Sequence, residues 1–94
     1  MVVGLLRVEL RIGDSQSLKE KRRALKSLKD RLRQSFNVSI AETGDQDVWQ
    51  RAEFGVACVG TDAAGVNRCL SLVVEAVERD RAAELTHYEL EILR

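Results

Sequence analysis

The sequence predicts an α+β domain of order βαββαβ, with two helices on one face of a four-stranded antiparallel sheet. Three observations predict it. Four segments alternate apolar and polar residues with the period of two that marks a half-buried strand. Two segments carry apolar residues at helical spacing behind a capping residue. Each element then has one apolar face to bury, and the economical solution is two layers, the ferredoxin-like arrangement. Right-handed crossovers around the central hairpin give the strand order 4-1-3-2.

Val2 to Ile12 is the first strand: Val2, Gly4, Leu6, Val8, Leu10 and Ile12 fall on one face, and Val3, Leu5, Arg7, Glu9 and Arg11 on the other. Gly4 on the buried face lets a helix approach closely. Gly13-Asp14-Ser15-Gln16 is turn chemistry leading to the first helix, Ser17 to Gln34. Ser17 followed by Glu20 is a capping-box start, and Leu18, Leu25, Leu28 and Leu32 form the apolar stripe. Each buried Leu or Val stabilises the domain by roughly 1.5–3 kcal/mol over exposure, so Leu28→Asp should unfold it.

Phe36, Val38 and Ile40 alternate with Asn37 and Ser39 as the second strand, and Thr43-Gly44-Asp45-Gln46-Asp47 reads as a polar loop. Val48-Trp49-Gln50 leads to the third strand, Arg51 to Val59, with Ala52, Phe54, Val56 and Cys58 inward. Thr61 or Asp62 caps a second helix, Ala63 to Arg79, whose stripe is Val66, Leu70, Val73 and Val77. Glu84 to Leu93 is the fourth strand, with Thr86, Tyr88, Leu90 and Ile92 on its inward face.

Ninety-four residues make one domain, 1–94, with one modest core. The chain opens on a strand-like segment and not on a secretory leader, and its apolar runs fall short of the roughly 20 residues of a membrane span. A cytoplasmic location is the expectation. Cys58 and Cys69, eleven positions apart among apolar neighbours, read as small buried hydrophobes and not as a metal knuckle. With one histidine in the chain, no zinc site is expected.

Charge carries the main functional signal. The first helix holds eight of the fifteen Lys and Arg against Glu20 and Asp30, hence about +6 in a chain of formal net charge zero. On a wheel of about 100° per residue, Lys19, Arg22, Arg23, Lys26, Lys29 and Arg33 fall within about 120°. Asp30 is the acid in that arc, within reach of Lys26 and Arg33. Such a ridge suits phosphates along a nucleic-acid strand; a solvated face, or one paired with acids of a second copy, is the alternative. Lys21 falls inside the apolar arc, and either snorkels out at the helix start or reaches for the loop Thr43–Gln50.

Trp49 is a candidate anchor for a partner or a stacking platform for a base; it could equally close one end of the core or meet a second copy. The open sheet face has no aromatic residue, which argues against stacking bases on the sheet. Its Arg and Glu residues suit cross-strand pairs, and its apolar end (Val3, Leu5, Val59, Leu85) suits self-association into a homodimer.

Enzyme signals are weak, and no catalytic residue, cofactor or metal is expected. The chain has no glycine-rich phosphate loop, GxSxG elbow or HExxH. Acylphosphatases of this fold use an arginine in a glycine-rich loop after the first strand; Gly13-Asp14-Ser15-Gln16 has none. Glu42, Asp45, Asp47 and Glu53 could gather around a divalent ion or form a solvated acidic end, and His87 reads as a surface residue.

Ser17-Leu-Lys-Glu-Lys-Arg-Arg with Leu25-Lys-Ser-Leu28, Phe36-Asn-Val-Ser-Ile-Ala-Glu42 and Asp47-Val-Trp-Gln-Arg-Ala-Glu-Phe-Gly-Val-Ala57 resemble the YlxP-like family of small bacterial proteins. The resemblance spans most of the chain. It implies the ferredoxin-like fold, a cytoplasmic location and often a dimer, but no established activity. Genes of that family often stand beside translation and ribosome-maturation genes, an association that favours RNA or a ribosomal particle as partner. The expected role is therefore non-enzymatic RNA or ribosome association through the first helix. The alternative is a homodimeric protein-interaction module.

Overall fold

A computed structural model describes residues 1–13, 17–45 and 48–94. Asp14, Ser15 and Gln16 of the expected turn, and Gln46 and Asp47 of the polar loop, lie outside the described residues. The elements run β1 (Val2–Arg11), α1 (Leu18–Ser35), β2 (Ser39–Gly44), β3 (Arg51–Gly60), α2 (Ala63–Glu78) and β4 (Glu84–Leu93). All paired strands are antiparallel, in the order β2-β3-β1-β4. This is 4-1-3-2 read from the other edge.

Both helices start where their caps place them. Ser17 Oγ accepts from Glu20 N at 3.2 Å, and Asp62 Oδ1 from Gly65 N at 2.7 Å. Most of the stripe predicted for each helix enters one core: Leu25, Leu28 and Leu32 from α1, and Val66, Leu70, Val73 and Val77, with Val74, from α2. Leu18, at the start of the α1 stripe, is half-buried and outside the cluster. From the sheet come Leu6, Val8, Leu10, Ala52, Phe54, Val56 and Cys58. Gly4 has the expected reason. A Cβ there would overlap the Val66 side chain and lie 2.6 Å from Leu70 Cδ1, so α2 sits directly on β1 at that point.

Beyond shifts of one residue at element ends, two features differ from the sequence reading. Phe36 and Val38 pack against the core but precede β2; Phe36 is the C-cap of α1, its N–H donating to Leu32 O at 2.9 Å. The strand instead runs through Thr43 and Gly44, with an irregularity between Glu42 and Gly44. The second difference lies in β4. The register against β1 shifts between Glu9 and Leu10, so Leu10 pairs with Leu85 while Glu9 pairs with His87. The shift leaves Thr86 as the extra residue, its Oγ1 donating to Glu9 O at 3.1 Å. Leu85 therefore packs on the core, and Thr86 is exposed.

Arg31 lies on the α2 side of α1 and pairs with Asp80 just beyond α2. The other oxygen of Asp80 accepts from Ala82 N at 2.8 Å and Ala83 N at 3.1 Å. One carboxylate thus caps a turn and ties the helices together, which takes Arg31 out of the functional question.

Candidate nucleic-acid interface

The six ridge residues divide into two groups. Lys26 Nζ lies 2.7 Å from Asp30 Oδ2, and Arg33 Nη1 lies 3.7 Å from Asp30 Oδ1. The Lys26 hydrogen bond holds the Asp30 carboxyl below its ordinary 3.8, with further help from Arg33 and Lys29. Arg33 Nη2 also donates to Ile40 O at 2.8 Å, so this side chain clasps the edge strand β2. Lys19, Arg22, Arg23 and Lys29 form no ion pair with any described residue. Among the described residues, four cations along one edge of the helical layer are therefore outside any ion pair.

Lys21 does not snorkel outward. Its side chain is only 1% exposed. Nζ donates to Asp45 O and, at 2.6 Å, to Val48 O, with Glu42 Oε2 at 3.5 Å. Burying such a group is unfavourable unless its donors are satisfied, and the loop's own carbonyls satisfy them. Asp45 reverses the chain in the left-handed region, φ 59°, and its carbonyl accepts from Val48 N at 3.2 Å. Lys21 thereby fastens the loop after β2 to the start of the basic helix.

Trp49 follows directly. It is 51% exposed and does not pack into the core cluster, so it is not a lid on the core. Its neighbours are pinned on both sides: Val48 O takes Lys21 Nζ, and Gln50 O accepts from Ile12 N at 2.8 Å. An exposed indole on an anchored backbone stands at the end of the molecule where the ridge begins.

The open sheet face has a different character. Arg7 Nη1 lies 3.0 Å from Glu53 Oε1 and 3.3 Å from Glu9 Oε1, and Nη2 lies 3.1 Å from Glu89 Oε1. Thr43 Oγ1 donates to Glu53 Oε2 at 2.7 Å. Hydrogen bonds from Thr43 and then Arg7 lower the Glu53 carboxyl from its ordinary 4.5, and Arg7 and then His87 lower that of Glu89. The same carboxylates, Glu53 first, raise Arg7. A shallow depression of about 650 Å³ lies over this network and the small residues Ala41, Gly55 and Ala57. Gly55 is small for a reason: a Cβ there would stand 2.8 Å from Thr43 Cγ2.

The register also produces like-charge neighbours that the sequence does not reveal. Glu9 pairs with Glu53 and Arg11 with Arg51 across β1 and β3. Arg7 reconciles the two glutamates. Among the described residues nothing does so for Arg11 and Arg51, which are both exposed and form no ion pair. Sequence reasoning placed both on this face but expected Arg–Glu partners; β1 and β3 are not joined by a hairpin, so no turn signal fixes which residues meet.

The other candidates come apart. Glu42 faces Lys21 under the sheet while Glu53 faces Arg7 on the open side. Asp47 lies outside the described residues, and no group of three potential ligands gathers among those described. Burial, then a hydrogen bond with Cys58, pushes the Cys69 thiol up to about 11, which keeps it protonated at neutral pH. His87 is exposed, 3.4 Å from Glu89. Among the described residues no helix is long and apolar enough to cross a membrane.

Residues 3–90 match the family model described as "Protein of unknown function (DUF503)". The chain belongs to this family. It is 40% identical over 77 residues to the "Uncharacterized protein YlxP" of Bacillus subtilis (strain 168), covering 82% of this chain and 84% of that protein. Two designed proteins share the fold. Foldit4 superposes with a TM-score of 0.53 at 12% identity, covering 99% of this chain and 96% of its own. LFR1 1, designed with a ferredoxin fold, gives 0.51 at 16%, covering 97% and 86%. At such identities the likeness concerns the backbone alone. The YlxP-like resemblance and the ferredoxin-like fold read from the sequence are both shown.

Proposed function

We propose that this DUF503 protein is a non-enzymatic cytoplasmic protein that binds RNA, free or within a ribosomal particle, through the phosphates that meet α1. The supporting observation is the set of four helix cations, Lys19, Arg22, Arg23 and Lys29, that form no ion pair among the described residues. Lys26 and Arg33 border the set and share Asp30. An 18-residue helix is about 27 Å long, long enough to follow several phosphates. Neutralising four of them predicts that log affinity falls with log salt at a slope of about −3 to −4.

The test is a pull-down from cell extract, with and without nuclease, at two salt concentrations, followed by fluorescence anisotropy with labelled RNA. Arg22→Glu, Arg23→Glu and Lys26→Glu together should abolish binding while the circular-dichroism spectrum stays native. A triple variant that binds RNA like the parent removes the proposal.

A second reading concerns self-association and does not compete for the same surface. Leu5, Val59 and Leu93 are 40%, 60% and 46% exposed and cluster at one end of the open sheet face. A homodimer through that end would leave the ridge free. Light scattering of Leu5→Glu with Val59→Glu tests it: the expected result is a monomer from a dimeric parent.

A further inference from the structure

We infer that Trp49, together with Arg11 and Arg51, is a clamp for single-stranded RNA, with a phosphate held by the two guanidinium groups and its neighbouring base stacked on the indole. This rests on the RNA reading above and names the class of RNA.

The first observation is the arginine pair. Arg11 and Arg51 are directly opposite on antiparallel strands, where Cα atoms stand only about 4.5–5.5 Å apart. Like charges so placed work against the sheet. Two carboxylates line the same hollow of about 600 Å³, Glu9 and Asp45, and neither pairs with these arginines. Glu9 turns to Arg7, and Glu84, the register partner of Arg11 in β4, forms no ion pair with it either. Two arginines that line one hollow suit a phosphate, which can accept from both guanidinium groups at once.

The second observation is where Trp49 stands. It lies two residues before Arg51, and Gln50 beside it is bonded to Ile12, the residue after Arg11. Gln50 and Val48 line the hollow with the two arginines. The third is Lys21, whose buried contacts hold Asp45 and Val48 and so fix the backbone that carries the indole. Trp49 itself is exposed between the lining residues Val48 and Gln50, and an exposed aromatic two residues from Arg51, itself opposite Arg11, suits a base whose face is free. Duplex RNA hides those faces in its stack, whereas single strands and loops offer them.

Trp49 is the chain's one tryptophan, so intrinsic emission reports on the clamp alone. The probes are a mixed-sequence 12-nucleotide RNA and the same strand annealed to its complement. Saturating single strand should change Trp49 emission, and duplex should bind without changing it. Trp49→Ala should weaken single-strand binding by about 5- to 150-fold, the range that one stacked base supplies. Arg11→Gln with Arg51→Gln should lower the magnitude of the single-strand salt slope by about 0.7, one phosphate. Duplex affinity should be unchanged, and the melting temperature equal or higher, where a structural role would lower it.

Unchanged emission at saturating single strand overturns the clamp, as does a double arginine variant that binds both probes like the parent. If the α1 triple variant loses RNA while the arginine variant matches the parent, the clamp fails and the ridge stands. If the α1 variant keeps single-strand binding with its emission change, the ridge fails and the clamp stands.

Discussion

Arg7 and Arg11 lie on the same face of the same strand, four residues apart, in opposite circumstances. Arg7 is surrounded by Glu9, Glu53 and Glu89, and its charge is consumed inside the molecule. Arg11 faces Arg51, and no described carboxylate answers either. The first arrangement holds a sheet face together. The second opposes the sheet locally, and becomes useful when an anion arrives from outside. Along α1 the same contrast recurs: Lys21 and Arg31 are committed to loop and helix contacts, while Lys19, Arg22, Arg23 and Lys29 form no ion pair with a described carboxylate. A count of basic residues on a helix therefore overstates what is available to a partner, and the partners of each residue must be known.

This contrast can be broken at several points. Among these charged side chains the largest effect on stability is expected at Lys21→Met, which keeps the stem but strips the donors from Asp45 O and Val48 O. It should destabilise by about 2–4 kcal/mol in urea unfolding, in the range for breaking buried polar and charged contacts. A loss within 0.5 kcal/mol would show the loop to be held by something else.

Next comes acid sensitivity of the Arg7 network. Glu53 and Glu89 have lowered folded-state pKa values. Their contribution is fully present above the ordinary carboxylate value and is lost as pH falls through the lower folded-state values. Thermal melts should thus show falling stability from about pH 5 toward pH 3, and Arg7→Met should flatten that fall. Parallel pH profiles for the two proteins would refute this role for Arg7.

A smaller effect of opposite sign is expected at Arg11→Glu. Replacing a like pair with an Arg–Glu pair across β1 and β3 should stabilise by about 0.2–1 kcal/mol. A loss of stability would mean that Arg11 already has a structural task. The smallest effect belongs to Lys26→Met. Its pair with Asp30 is exposed, and chemical unfolding should move by no more than about 0.5 kcal/mol.

Much of the fold is legible in the sequence because the signals are local. The period-two runs, the caps at Ser17 and Asp62 and the stripes through Leu28 and Leu70 each lie within one segment. What escapes depends on pairing between distant segments. Leu85 reads as outward because strict alternation says so; the extra residue at Thr86, set by how β4 meets β1, turns it inward. At the candidate site, the helix positions of the ridge are legible from the wheel. The sharing of Asp30 by Lys26 and Arg33 is also legible, as i,i+4 and i,i+3 spacing. The clasp of Arg33 on Ile40 O is not, since it requires knowing that β2 lies beside α1.

The sequence alone determined the element order, the Ser17 cap, the second cap to within Thr61 or Asp62, the faces that must be buried and the concentration of positive charge on α1. Each follows from residues within one or two turns, or a few strand positions, of one another. Tertiary structure decided which charges remain available. The β1–β3 register set Arg11 against Arg51. Of the two courses open to Lys21 in the apolar arc, the position of β2 and its loop chose the one toward the loop, while leaving Trp49 outside. Register and loop placement are fixed by core packing among residues far apart in the chain, so no local pattern encodes them.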